Sequence, residues 1–101
     1  MEANKEVILI LKALADPIRF SLVQQVADYP EVCACQLIED HHISQPTLSF
    51  HMNKLVRSGL IDVHKEGVWM KYRINPEKLD LIQSALRVKP AKKAVIRCKC
   101  D

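Results

Sequence analysis

The chain of 101 residues has little of what marks membrane, secreted or low-complexity proteins. No apolar run approaches the roughly 20 residues of a membrane-spanning helix. The N-terminal MEANKEV is polar and acidic, unlike a secretory signal. Glycine is scarce, with 2 residues, and there is no internal repeat or low-complexity stretch. These absences predict a small cytoplasmic protein with no membrane partner.

The net charge of +3 is concentrated near the C-terminus. Six of the 15 cationic residues lie at or beyond Arg87, whereas 11 of the 12 acidic residues precede it. We therefore divide the chain into a folded domain over residues 1–88 and a basic, cysteine-containing tail over 89–101. Because the folded part is not basic, any prediction of DNA binding depends on local charge.

The segment from Ser44 to Gly59 has no acidic residue and the pattern of an amphipathic helix. Ser44 can cap its start, Pro46 suits its first turn, and Gly59 suits its end. Helical spacing gives one apolar stripe of Leu48, Met52, Leu55 and Val56. The opposite face carries Gln45, Thr47, Phe50, His51, Lys54 and Arg57. We predict that the first face is buried and the second lies in the major groove of DNA.

Three further helices are predicted before this segment, over residues 4–15, from Pro17 to about Asp28, and from Val32 to about His41. Asp16 is the predicted cap of the second, since it precedes a proline at the first helical position. The first is apolar around most of its circumference, which indicates burial against a partner subunit or at the centre of the core. A short helix, a tight link and a longer helix with a polar face are typical of a helix-turn-helix. In that motif the second helix reads base edges.

Beyond Leu60 apolar residues recur at every second position, which is the pattern of a half-buried strand. One strand contains Ile61 and Val63, the other Val68, Met70, Tyr72 and Ile74, and Lys65-Glu66-Gly67 is the predicted turn. Such a hairpin is the wing of a winged helix-turn-helix, where Lys65 and either Lys71 or Arg73 could meet phosphates. A last helix is predicted from Asn75-Pro76 to about Arg87. The predicted fold class is mainly α with a small β-hairpin, in the order ααααββα.

Four cysteines form two C-x-C pairs, Cys33/Cys35 and Cys98/Cys100. In a reducing cytosol such pairs act as thiols or metal ligands more often than as disulfides. Residues i and i+2 of a regular helix point about 200° apart. Cys33 and Cys35 can therefore hold one ion only if the helix begins after Cys33 or if binding unwinds its first turn. A single cysteine is often just a small buried residue, but we interpret the pair as a sensor.

Several segments together resemble the ArsR/SmtB family of metal-responsive bacterial repressors, namely LKALADPIRFSLV, EVCACQL, SQPTLSFHMNKLVRSGLI and GVWMKYRI. The resemblance implies a homodimer through the first and last helices, which binds operator DNA and is released by an inducer. It also implies that Gln45, Thr47, Ser49 and Phe50 enter the major groove. Phe50 replaces a polar residue often found there, and either packs on a thymine methyl or is idle. The full set of candidate DNA-binding residues is Ser44, Gln45, Thr47, Ser49, Phe50, His51, Lys54, Lys65 and Lys71.

Arsenic-sensing members of that family carry E-L-C-V-C-D-L-C, whose first two cysteines match Cys33 and Cys35, while Ile38 stands at the third. Arsenite prefers three soft thiolates. The resemblance therefore implies a site of Cys33 and Cys35 with a tail cysteine, either Cys98 or Cys100. As(III) or Sb(III) is the expected inducer, and a methylated arsenite, cadmium or lead suits a similar ligand set. No organic cofactor is expected.

Two other functions stay open on the sequence. One is a thiol redox or persulfide-sensing repressor, in which Cys33 or Cys35 bonds to a tail cysteine. The other is a metal-sequestering protein that never touches DNA. An enzyme is not expected, because no Ser-His-Asp set or Gly-rich phosphate loop is apparent. His41, His42 and His64 are interpreted as bystanders.

Overall fold

A computed structural model of the protein describes residues 2–92 and contains five helices and three strands in that range. In chain order they are α1 (Glu2–Leu14), α2 (Pro17–Ala27), β1 (Val32–Cys33), α3 (Ala34–His41), α4 (Gln45–Arg57), β2 (Ile61–Glu66), β3 (Trp69–Ile74) and α5 (Pro76–Ala85). Cys98 and Cys100 lie outside the described residues. None of the described helices is both long and apolar enough to span a membrane.

Side-chain caps begin three of the helices where the sequence predicts them. Asp16 accepts hydrogen bonds from the backbone N–H groups of Ile18 and Arg19, at 2.9 and 3.0 Å. Ser44 Oγ accepts from the N–H of Thr47 at 3.2 Å, and Asn75 caps α5 in the same way. Each cap satisfies N–H groups that a helix start leaves free, and each is followed by a proline in the first turn.

The core lies between the helices and the inner face of the sheet. Its most buried side chains include Ile10, Leu22, Leu37, Leu48, Met52, Leu55, Leu60 and Ile61. Three of the four predicted stripe residues of α4 are in this set, and Val56 is half-buried. Helix α4 is therefore fixed through its apolar face, as predicted, while most of the opposite face stays exposed to solvent.

The sheet has the strand order β1-β3-β2, and β1 was not predicted. Val32 pairs with Tyr72 and Cys33 with Lys71, both antiparallel. The helix predicted from Val32 therefore begins at Ala34 instead, because the two preceding residues are extended and bond to the wing. This short strand adds one element to the predicted order ααααββα.

The hairpin turn lies one residue later than predicted. Glu66 pairs with Trp69, so Gly67 and Val68 form a two-residue loop. Gly67 has φ of 65°, which suits the first position of such a hairpin loop. Val68 was predicted to face inward but is 81% exposed, because it belongs to the loop and not to the strand.

Helix α1 is buried on only one side. Val7, Ile10 and Ala13 pack in the core, while Ile8 and Leu9 are 50% and 52% exposed. The helix packs against α5, which ends at Ala85 and not near Arg87. The core interpretation of α1 is correct for one side, and burial of the other side against a partner subunit stays a prediction. It is a core helix, and it also retains an apolar face that the single chain does not cover.

Candidate nucleic-acid interface and thiol site

The exposed face of α4 presents polar groups at the start of the helix. Ser44, Gln45 and Ser49 are exposed, and Thr47 is half-buried. The hydroxyl of Ser44 also donates a hydrogen bond to Thr47 Oγ1 at 2.9 Å. These side chains lie at the free N-terminal end of a helix, where phosphate groups are attracted by the unpaired N–H groups and the helix dipole.

His51 does not lie on the exposed face to which the sequence assigned it, since it is only 7% exposed. It stands three residues after Leu48 and four before Leu55, so it widens the buried stripe. The Arg19 guanidinium donates to its Nδ1 at 3.1 Å, and Arg19 Nε donates to the carbonyl of Ala13 at 2.6 Å. His51 thus ties α4 to α1 and α2, and we leave it out of the proposed DNA interface.

Phe50 projects from the exposed face of α4 and is 58% exposed. The Lys54 ammonium lies over its ring, 5.0 Å from the centroid. The His51 ring meets it edge-on, with centroids 5.2 Å apart and the planes at 72°. The phenyl ring is thereby held by a cation and by a buried imidazole, although more than half of its surface faces solvent.

The two candidate cations of the wing lie on opposite faces of the hairpin. Across the two strands Lys65 lies opposite Met70, and Lys71 lies opposite His64. These are adjacent cross-strand pairs, and side chains of adjacent pairs point to opposite faces of a sheet. Lys65 is exposed, but the Lys71 ammonium lies 2.8 Å from Glu66 and 3.4 Å from Glu31. The hydrogen bond to Glu66 raises the pKa of Lys71 and lowers that of the Glu66 carboxyl. Lys65 is therefore the better placed of the two to meet phosphate.

The ligand atoms of Glu31, His64 and Glu66 lie within 4.8 Å of one another on the outer face of the sheet. Sequence reasoning missed this cluster, because it depends on the unexpected strand β1. The Lys71 ammonium forms ion pairs with both carboxylates, 3.4 Å from Glu31 and 2.8 Å from Glu66. We interpret the group as an ion-pair network that joins β1 to the wing.

Cys33 and Cys35 bring their sulfur atoms within 2.6 Å of each other. Cys33 is the N-cap of α3, with an extended backbone at φ −72° and ψ 141°, and its Sγ accepts from the Cys35 N–H at 3.4 Å. Of the two alternatives open on the sequence, the helix beginning after Cys33 is the one observed. The pair can therefore face one thiophilic ion without any unwinding.

The two thiols differ in acidity because they share a hydrogen bond. The bond from Cys35 lowers the pKa of the Cys33 thiol and raises that of Cys35. The Lys71 ammonium, across the β1–β3 pairing, also favours the Cys33 thiolate. Since the thiolate is the nucleophile and the metal ligand, Cys33 is the more reactive of the two.

We expect iodoacetamide to alkylate Cys33 at lower pH than Cys35. The rate at Cys33 should rise with pH through a midpoint below the usual thiol range, because the thiolate fraction sets the rate. In Cys35→Ala the midpoint should move upward, and in Cys33→Ala the midpoint of Cys35 should move downward. Fragment mass spectrometry after timed quenching gives both rates, and equal midpoints in the parent would contradict the assignment.

Cys33 opens onto a cleft of about 390 Å³. Its lining residues are Gln25, Tyr29, Glu31, Val32, Cys33, Gln36 and Asp40. His41 bonds to Gln25 at 2.8 Å and His42 ends α3 with φ of 52°, so both histidines have structural roles. Ile38, at the third position of the cysteine motif, packs against the core. This position therefore adds no sulfur to the Cys33/Cys35 pair.

Comparisons with known proteins show which bacterial proteins this chain resembles. The sequence pattern described as "Bacterial regulatory protein, arsR family" matches residues 16–63. The arsenical resistance operon repressor of Staphylococcus xylosus is 42% identical over 84 residues, which is 83% of this chain and 80% of that protein. The chain belongs to the arsR family of bacterial regulatory proteins. The repressor of the same description from Escherichia coli K12 is 38% identical over 69 residues, or 68% of this chain and 59% of that one.

Solved structures of other regulators share the fold. HlyU from Vibrio cholerae superposes with a TM-score of 0.72 at 29% identity, over 86% of this chain and 96% of that chain. A possible transcriptional regulator for arsenical resistance gives 0.68 at 28% identity, over 74% and 77%. The winged helix-turn-helix prediction is confirmed, and the ArsR-family chain is a transcriptional regulator and not an enzyme.

Proposed function

We propose that this ArsR-family regulator is a cytoplasmic homodimeric repressor that binds operator DNA and is released by As(III), Sb(III) or a similar thiophilic inducer. The observation that carries the proposal is the convergence of Cys33 and Cys35 at the junction of β1 and α3. Relatives described as arsenical resistance repressors and as a cadmium resistance regulatory protein support an inducer of this chemical class.

The ligand set combines a local pair with a more distant sulfur. Cys33 and Cys35 supply two soft ligands, and trivalent arsenic takes three. Cys98 or Cys100 of the tail supplies the third in our proposal. An organic arsenical with one carbon substituent needs only the local pair. Both thiols must lose their protons on binding. The lowered pKa of Cys33 favours the first loss, whereas the raised pKa of Cys35 opposes the second.

Cys33 connects the inducer site to both parts of the DNA-binding surface. It is the last residue of β1, which pairs with wing strand β3, and it caps α3, which packs against α4. An ion that draws the two sulfurs into its own coordination geometry displaces both elements. The inducer needs to bind the free shape more tightly than the DNA-bound shape. A difference of a few kcal/mol in its binding free energy is enough to shift the population away from the operator-binding form.

In the proposed complex, the N-terminal part of α4 enters the major groove. Gln45, Ser49 and Phe50 reach base edges, while Ser44, Thr47, Lys54 and wing-tip Lys65 position the backbone. The exposed apolar face of α1 packs against a second copy of the chain. Two recognition helices then meet a near-palindromic operator.

The deciding experiment is an operator-release titration. Duplexes selected by the reduced protein from a random library serve as the operator, and fluorescence anisotropy follows release by arsenite, antimonite, cadmium, zinc or peroxide. We expect arsenite and antimonite to release DNA at the lowest concentrations. Release by zinc alone would contradict a thiolate sensor, and the absence of any selected sequence would contradict the repressor.

A thiol redox sensor is the second candidate, and the lowered pKa of Cys33 favours it, because a thiolate is readily oxidised. Release by peroxide but not by arsenite would identify that function. A purely metal-sequestering function does not fit a chain that belongs to a family of transcriptional regulators.

A further inference from the structure

Phe50 is a large apolar side chain on the otherwise polar surface that α4 presents to solvent. We propose that Phe50 reads the C5-methyl group of one thymine in each half-site of the operator. This inference rests on the proposed DNA-binding function and adds to it a base preference. The Lys54 ammonium lies over the ring and holds it in place.

The argument begins with the surroundings of the ring. Phe50 helps to line a shallow surface depression of about 180 Å³ together with Asn53, Lys54 and Arg57, so its neighbours there are polar or cationic. An exposed phenyl ring on such a surface gains nothing in the free protein beyond its contacts with Lys54 and His51. Its apolar area is available for burial against a ligand.

The major groove offers one apolar group at base level, the thymine methyl, among hydrogen-bond donors and acceptors. A phenyl ring can make no hydrogen bond to a base edge, so the methyl is the group it can recognise. Contacts to Lys54 and His51 restrict the ring before binding, which lowers the entropy lost on docking. The ring therefore discriminates T·A from the other pairs by packing.

Deoxyuridine substitution tests this inference, because it removes the methyl and nothing else. Each thymine of the selected operator is replaced in turn, and affinity is measured by anisotropy at fixed salt. At one position per half-site we expect a loss of about fourfold, and about fifteenfold when both half-sites change, from the burial of one methyl each. Other thymines should give smaller effects.

Variants assign the methyl effect to the ring. In Phe50→Ala the parent and deoxyuridine operators should bind equally, whereas Phe50→Leu should keep part of the difference. Phe20→Ala is the matched control, because Phe20 is a similarly exposed phenylalanine, at 52%, on α2. This substitution should leave the loss of affinity on deoxyuridine replacement unchanged.

Three results would overturn the inference. They are an operator without any methyl-sensitive thymine, a penalty that persists in Phe50→Ala, and a penalty lost in Phe20→Ala. In each of these the operator is still bound, so the repressor proposal survives. Failure to select any operator would instead remove the repressor proposal together with this inference.

Discussion

Replacement of Cys33 or Cys35 by serine is expected to weaken release of operator DNA by arsenite strongly, while DNA binding is retained. Serine lacks the soft sulfur ligand, yet at position 33 it can still cap α3, because a hydroxyl accepts the same N–H hydrogen bond. Mutation of a residue that only hydrogen-bonds to a metal ligand typically costs about 10- to 100-fold in metal affinity, and loss of the ligand itself should cost more. We therefore expect the releasing concentration of arsenite to rise by more than about 100-fold.

Ile38→Cys complements these loss-of-function variants, because it adds a sulfur where they remove one. It places a sulfur at the third position of the cysteine motif, so it should make release independent of the tail. Cys98→Ser and Cys100→Ser, combined with it, should then respond like the single variant. Release of Cys33→Ser or Cys35→Ser at the parent's arsenite concentration would show that the inducer binds elsewhere.

Leu9→Glu is expected to convert the dimer to a monomer and to weaken operator binding on the order of 100-fold or more. Leu9 lies on the uncovered apolar face of α1, where two copies of the charge would meet across a two-fold axis. In a dimer, binding of one subunit holds the second subunit at a high effective concentration near its half-site, which typically raises affinity by about 10²- to 10⁴-fold. A monomer contacts one half-site and loses this gain. Sedimentation velocity and anisotropy measure the two effects.

Phe20→Glu is the matched control for this substitution, because it adds the same charge at an equally exposed apolar residue on α2. It should remain dimeric. Circular dichroism melting separates loss of the dimer from loss of the fold. A folded Leu9→Glu protein that stays dimeric and binds operator normally would show that the face of α1 is not the subunit interface.

Local chemistry explains why most helix positions could be predicted from the sequence. Asp16, Ser44 and Asn75 each precede a proline in the first turn, and each caps its helix as expected. Apolar spacing likewise predicted the buried stripe of α4. These signals act within one or two turns, so the sequence carries them without knowledge of the rest of the fold.

The missed features depend on distant partners. Strand β1 has only two residues, too few to show alternation, and it exists because Tyr72 and Lys71 lie in reach about 40 positions away. His51 is polar, so its spacing was interpreted as an exposed face, although Arg19 on another helix provides its hydrogen bond. A buried polar residue requires such a partner, and a single helix cannot reveal it.

The joint at Cys33 has a consequence for protein engineering. Cys33 is the last residue of β1 and the N-cap of α3, and it pairs with Lys71 on wing strand β3. A graft of CACQ alone into a relative would carry the sulfurs without the pairing that orients them. Transplanting the proposed inducer site would require residues 31–36 together with the facing part of β3, so a change in the site would also change the wing.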